Sequence, residues 1–177
     1  MSFTVQEKSK AIDLLKRLTE APGAPGFEKG VRDVFRQELP GPFQSDRIGG
    51  LLQVKKGSGD GPRVMLAAHM DEVAFMVQSI TTTGLIRFIN LGGWWGHTLL
   101  SQRVEVINKK GEKILGVISA KPPHFLTAEE RTKVIDLDKM LIDVGASSDE
   151  DLRDNFGIRI GDPIVPVSEF RQLHNPD

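Results

Sequence analysis

The sequence predicts an α/β chain in which a mixed sheet is interrupted by a small β-barrel or β-sandwich. Three observations carry this expectation. Two helical stretches with apolar residues three and four apart open the chain. Short strand-like runs follow from residue 43, and one of them, Arg63-Val64-Met65-Leu66-Ala67-Ala68, is aliphatic on both faces, as a buried central strand is. From about residue 84 to 167 the pattern becomes all-β, with hairpin signals and scattered glycines.

The elements follow in order. Thr4-Val5-Gln6-Glu7 fits a capping box, in which Thr4 and Glu7 each satisfy the other's backbone N–H. Ile12, Leu15 and Thr19, flanked by Leu14 and Leu18, then place one apolar face on a first helix. Ala21-Pro22-Gly23-Ala24-Pro25-Gly26-Phe27 punctuates the chain and stops it. A second helix reads from Phe27 through Val31, Val34, Phe35 and Leu39 to the breaker Pro40-Gly41-Pro42. Strands are expected at 43–48, 51–56, 63–69, 73–80 and 85–91, with a Gly- and Pro-rich turn at 57–62.

In the all-β stretch, 103–108 and 113–120 flank Asn108-Lys109-Lys110-Gly111, a hairpin turn signal. Two short helices are expected to interrupt the strands, one capped at Thr127-Ala128-Glu129-Glu130 and one at Ser148-Asp149-Glu150-Asp151. The expected organisation is residues 1–73 in the α/β part, 74–167 in the inserted β domain and 168–177 returning toward the α/β part. The last residues, from Ser168, do not read as a domain end. Two helices and a few strands are too little to cover both faces of a central sheet. The chain is therefore expected to be incomplete, or to depend on a partner.

Composition narrows the function classes. Lys+Arg 23 against Asp+Glu 24 gives a net charge of −1, so there is no basic excess to neutralise nucleic-acid phosphates. Cys 0 removes disulfides, thiolate zinc sites, iron–sulfur clusters and cysteine nucleophiles together. Apolar runs such as Val73-Ala74-Phe75-Met76-Val77 are far too short to span a bilayer. A cytoplasmic protein without membrane or nucleic-acid partners is the default expectation. The sequence contains no Gly-x-Ser-x-Gly elbow and no phosphate-binding glycine loop following a strand.

The sharpest candidate site is Ala67-Ala68-His69-Met70-Asp71-Glu72, directly after the aliphatic run. Side chains at the carboxyl end of a central strand face the crevice where α/β proteins bind ligands. His69 and Asp71 are two apart and share a face in extended backbone. That pair suits a metal-ligating histidine whose second ring nitrogen is held by a carboxylate. The plainer alternative is a hydrogen-bonded core histidine beside an Asp that caps a turn. His97 lies in Gly92-Gly93-Trp94-Trp95-Gly96-His97, a loop that either lines a pocket or oligomer contact or plugs the mouth of the β domain. His124 sits in a proline turn and reads as structural, and His174 reads as exposed. The acidic residues Glu129-Glu130 and Asp149-Glu150-Asp151 sit in helix first turns, where negative charge answers the helix dipole.

Several separate blocks match one family. His69-Met70-Asp71-Glu72 with its flanks, Leu91-Gly92-Gly93-Trp94-Trp95-Gly96-His97, the run 99–106, the run 116–127, Ile142-Asp143-Val144-Gly145-Ala146, and 157–170 closely resemble the tetrahedral, glutamyl or deblocking aminopeptidases. The run 18–28 and Asp46-Arg47-Ile48-Gly49-Gly50 are similar to the same family. These are dinuclear metallopeptidases of the clan of leucine aminopeptidase-like zinc exopeptidases. The resemblance spans essentially the whole chain.

The resemblance implies a zinc-exopeptidase-like α/β domain, here incomplete, interrupted by a β domain. It implies removal of N-terminal residues from peptides, two zinc or cobalt ions, and assembly into large homo-oligomers. His69 matches a metal ligand and Asp71 the catalytic carboxylate that orients it. The family's other ligands and its general-base glutamate have no counterpart among these 177 residues. A catalytic zinc takes about three protein ligands and a water. The chain alone is therefore expected to bind metal weakly and hydrolyse nothing at a useful rate. The partner is then a further copy or a polypeptide supplying the missing half. The alternative is a non-catalytic assembly or interaction module of the same family. Gly50 departs from the asparagine usual in relatives, with a local effect expected on its turn.

Overall fold

A computed structural model describes residues 4–174. Its contacts divide it into two units. One comprises the residues up to Asp71 together with those from Ser168; the other is Glu72–Val167.

In the first unit, helix α1 spans Val5–Glu20 and α2 spans Lys29–Glu38. The Thr4 capping box forms as its sequence predicts: the Glu7 amide donates to Thr4 Oγ1 at 3.2 Å, and the Thr4 amide donates to Glu7 Oε2 at 2.8 Å. Arg17 of α1 pairs with Glu38 of α2 and with Asp13 one turn back. The apolar face expected on α1 is only half covered: Ile12, Leu14 and Leu18 are half-buried and Leu15 is exposed. Ala24 and Val31 are the buried apolar side chains of this unit among the described residues. Strands β1 (Gln44–Ser45) and β2 (Leu51–Leu52) pair antiparallel around the turn at Asp46–Gly50.

The central strand expected at 63–69 is not formed. Residues 53–73 are neither helix nor strand, and Val64, Met65 and Leu66 are exposed, Leu66 at 95%. The physical reason is pairing. A strand is held by hydrogen bonds to its neighbours, and an aliphatic run needs cover on both faces. Among the described residues nothing pairs with this run. For the same reason the strands expected at 43–48 and 51–56 shrink to two residues each.

The second unit is a closed barrel in the order β3-β4-β7-β6-β5-β8, antiparallel throughout. Its strands are β3 (Ala74–Ile80), β4 (Ile86–Leu91), β5 (Arg103–Ile107), β6 (Lys113–Ser119), β7 (Leu141–Asp143) and β8 (Pro163–Pro166). Alternation sets the inside. Val104 and Val106 of β5 and Ile118 of β6 point inward, while Arg103, Leu115 and Val117 face out. Phe75, Phe88, Ile142, Leu152 and Ile164 share this core. Phe75 meets Phe88 edge-on at 5.0 Å.

The Asn108–Gly111 turn joins β5 and β6 as expected, with Gly111 at φ +80° closing it. Helix α3 (Asp149–Asp154) begins at the Ser148 cap, whose Oγ accepts from the Asp151 amide at 3.1 Å. The helix expected at Thr127 is reduced to one 3₁₀ turn, Glu130–Thr132. Its capping bonds are made, the Glu130 amide donating to Thr127 Oγ1 at 3.2 Å and the Thr127 amide to Glu130 Oε2 at 2.7 Å. A cap satisfies the first donors but does not overcome the cost of nucleating a helix that buries no side chain.

Candidate metal-ligand pair and its setting

His69 and Asp71 lie outside any regular helix or strand. The His69 ring turns toward the residue two places further along the chain. Its Nδ1 stands 2.9 Å from the Asp71 carbonyl oxygen and 3.1 Å from Asp71 Oδ1. A carbonyl oxygen only accepts, so Nδ1 carries the proton and donates. In the neutral ring Nε2 then keeps its lone pair. The imidazole is 84% exposed, so the reading of His69 as a core histidine does not hold. A ring steadied at one nitrogen and open at the other is the arrangement a metal-ligating histidine needs.

The donor set stops there. Among the described residues no group of three or more His, Asp or Glu side chains is gathered as a metal site. The chemistry of His69 fits one ligand of a metal, but the described residues do not by themselves make a metal site. No catalytic step through a metal is derived from them.

His97 and His124 belong to the second unit and His174 to the first. His97, exposed, touches the ring of Trp95 at 4.5 Å between centroids. It lines a cavity of about 410 Å³ with Leu100, Leu126, Val134 and Ile135. The two tryptophans beside it divide between the alternatives for that loop. Trp94 stacks on Phe75 at 4.6 Å and donates its indole N–H to the Ala74 carbonyl at 3.0 Å, while Trp95 stays 68% exposed. His124 and His174 are exposed. Asp149 and Glu129 pair with Arg153 and Lys133 on their own turns.

Sequence reasoning missed how the turn at Asp46 is tied to α2. Arg32 donates to the Gly49 carbonyl at 3.2 Å and to Glu28 Oε2 at 3.3 Å, and Glu28 Oε1 accepts from the Gly26 amide at 2.6 Å. Asp46 Oδ1 accepts from the amides of Ile48 and Gly50 at 3.1 and 2.6 Å. A Cβ at Gly50 would sit 2.5 Å from Asp46 Oδ2, so glycine suits this turn as it stands. The four-residue spacing of Glu28 and Arg32 is a signal from which the ion pair could be read, whereas the reach to Gly49 has none.

Residues 49–177 match the family model described as M42 glutamyl aminopeptidase. This chain belongs to that family. A short second match, described as AMPT, covers residues 10–35. Among curated M42 relatives, the chain is similar to the glutamyl aminopeptidase of Lactococcus lactis subsp. cremoris, 38% identical over 162 residues, 89% of this chain and 46% of the relative. Among solved structures it is similar to the TET aminopeptidase of the marine sediment archaeon Thaumarchaeota archaeon SCGC AB-539-E09. That likeness has a TM-score of 0.85 at 40% identity and covers 94% of this chain and 47% of that one. The TET1 peptidase of Pyrococcus horikoshii, which can assemble into a tetrahedron or a large octahedral shell, matches with a TM-score of 0.77 at 33% identity, over 92% of this chain and 48% of its own. The chain spans less than half the length of the curated M42 relatives it matches. No helix of the described residues is long and apolar enough to cross a membrane.

Proposed function

We propose that this chain is the N-terminal portion of an M42 aminopeptidase that removes residues from peptide N-termini. His69 ligates one of the enzyme's divalent ions, zinc or cobalt, through Nε2, and Asp71 orients it. The observation that carries this reading is the His69 Nδ1–Asp71 geometry, 2.9 and 3.1 Å, in a chain of this family. When bound, two such ions would polarise the scissile carbonyl and acidify a water. What this chain's residues do is hold one imidazole in one tautomer. The remaining ligands and the proton-accepting carboxylate come from outside these residues, so the chain alone binds metal weakly and is inactive. On this reading the barrel, residues 74–167, is an insert in the peptidase domain. Cys 0 accords with a cytoplasmic location. The shells that the Pyrococcus horikoshii TET1 peptidase forms support a homo-oligomer here too.

A second reading, a non-catalytic assembly module, is favoured by one observation. The barrel holds a core of its own, whereas in the other unit Ala24 and Val31 are the buried apolar residues described. The experiment is zinc- and cobalt-dependent release of the N-terminal residue from a peptide panel by the purified chain, with His69→Ala as control. The same assay is run after adding a polypeptide that carries the second half of a relative. Activity restored by the addition and lost in His69→Ala supports the enzyme reading. Inactivity in both arms, with the chain incorporated into oligomers of a full-length relative, supports the module. Robust activity of the pure chain that His69→Ala leaves unchanged defeats both.

A further inference from the structure

The segment His69-Met70-Asp71 has no strand neighbours to hold it, yet its ring geometry is defined. The structure shows what it rests on. A Cβ built on Gly23 would lie 3.1 Å from the Met70 carbonyl oxygen and 3.1 Å from Val31 Cγ2. The backbone of residue 23 is thus wedged between the Val31 side chain of α2 and the peptide joining Met70 to Asp71. That peptide adjoins the carbonyl and carboxylate that receive the His69 proton.

The loop carrying Gly23 is itself fixed to α2. A Cβ on Gly30 would meet the Pro22 carbonyl at 2.9 Å and Pro22 Cδ at 3.0 Å, so α2 and the loop approach backbone to ring. Glu28 holds the Gly26 amide at 2.6 Å. Ala24, next to Gly23 in sequence, and Val31, against it in space, are the buried apolar pair of this unit among the described residues. Burial in this unit is therefore concentrated where the His69 segment is seated.

We propose that Gly23 is a positioning residue: the bare backbone of the Ala21–Gly26 loop, clamped to α2, is the seat that sets the Met70–Asp71 peptide and through it the tautomer of His69. The functional weight of this proposal rests on the reading of His69 as a metal ligand; the seat itself does not. A methyl group at residue 23 must push the Met70 carbonyl or Val31 aside by a few tenths of an ångström, because 3.1 Å is tighter than ordinary van der Waals contact. The Asp71 carbonyl and carboxylate then move away from Nδ1.

The test is long-range proton–nitrogen NMR of the His69 ring in the full chain without metal, at one fixed neutral pH, with amide spectra recorded alongside. Four chains are compared: the parent, Gly23→Ala, Gly23→Ala with Val31→Ala, and Gly57→Ala as control, since nothing lies within 4 Å of a Cβ at Gly57. The parent is expected to show the Nδ1–H tautomer. Gly23→Ala loses it toward the mixture of an unrestrained imidazole and shifts the Met70 and Asp71 amides. The double variant, with room made on the Val31 side, recovers part of the parental signal. Gly57→Ala matches the parent. If Gly23→Ala costs the α1 and α2 amide signals altogether, the less crowded double variant carries the comparison, and parental His69 signals there support the seat. A parental tautomer in a folded Gly23→Ala, or an unrestrained ring in the parent, overturns the proposal. Zinc titration of the parent mixed with a polypeptide carrying the second half of a relative separates the two readings. No zinc-induced shift at His69 in that mixture removes the ligand role while the tautomer result still decides the seat.

Discussion

Asn108 donates from Nδ2 to the carbonyl of Phe156 at 3.0 Å, joining the β5–β6 turn to the chain just after α3. The same side chain uses Oδ1 to accept from the amides of Lys110 and Glu112, both at 3.0 Å, and donates again to Glu112 Oε2 at 2.6 Å. Asn108 is itself buried, at 4% exposure. Replacing Asn108 by Ala leaves two amides and a carbonyl without these partners. The expected loss is about 2–3 kcal/mol in urea unfolding followed by circular dichroism. Asn108→Asp is expected to do no better, because it sets a carboxylate against Glu112 and cannot donate to Phe156. A loss under about 0.5 kcal/mol would show that water replaces the side chain without cost.

Asp162 is buried beside the barrel, and burial pushes its carboxyl above the usual range. The Arg159 amide, donating to it at 2.8 Å, and the charges of Lys109 and Arg159 act against that push. The sign follows from linkage. With the native value above the unfolded one, the folded chain binds the proton more tightly. Stability from this group is complete below the ordinary carboxylate value of about 3.9 and is lost as pH rises through the raised native value. Asp162→Asn keeps an oxygen for the Arg159 amide and removes the charge. Its stability relative to the parent should therefore rise as pH increases from below about 3.9 through the raised native value. A difference that is flat across that range, in paired denaturation curves, would remove burial as the dominant influence.

Trp94 and Trp95 should separate cleanly. Trp94→Ala loses the stack on Phe75 and should cost about 3 kcal/mol. Trp94→Phe keeps a ring but loses the donor to Ala74 and should cost about 1 kcal/mol. Trp95→Ala should stay within about 0.5 kcal/mol, since its ring is largely exposed. In single-tryptophan variants acrylamide should quench Trp95 strongly and Trp94 weakly. Equal quenching would contradict the stacked placement.

His69→Ala should leave the unfolding midpoint almost unchanged, because an exposed ring carries little packing energy. Asp71→Ala keeps the carbonyl partner but loses Oδ1. Loss of a carboxylate that orients a ligand typically weakens metal affinity about 10-fold or more, read here by cobalt absorbance in the reconstituted two-part enzyme. Unchanged cobalt affinity in Asp71→Ala would assign the orientation of His69 to the carbonyl alone.

The barrel was legible because its information is local. Strict alternation at Val104 and Val106, the Asn108–Gly111 turn and the Ser148 cap each name their own structure within a few residues, and β3, β4, β5, β6 and α3 appear where the pattern puts them. The aliphatic run 63–68 misled for the opposite reason. Its pattern states what a central strand looks like, but a strand exists only with partners, and none is present among the described residues. The two-residue offset of His69 and Asp71 was readable as a shared face without knowing which oxygen the ring would choose.

What the sequence alone determined is therefore the set of local choices: caps, turns, alternation, the absence of thiols, and the blocks that mark the family. Tertiary structure decided the rest. It packed Trp94 against the core and left Trp95 outside, raised Asp162 by burying it, closed six strands into a ring, and set Gly23 against the Met70 carbonyl. Each of these depends on which surfaces meet after the chain folds. Burial and close backbone approach are properties of pairs of segments distant in sequence, and a single segment's pattern carries only its half of the pair.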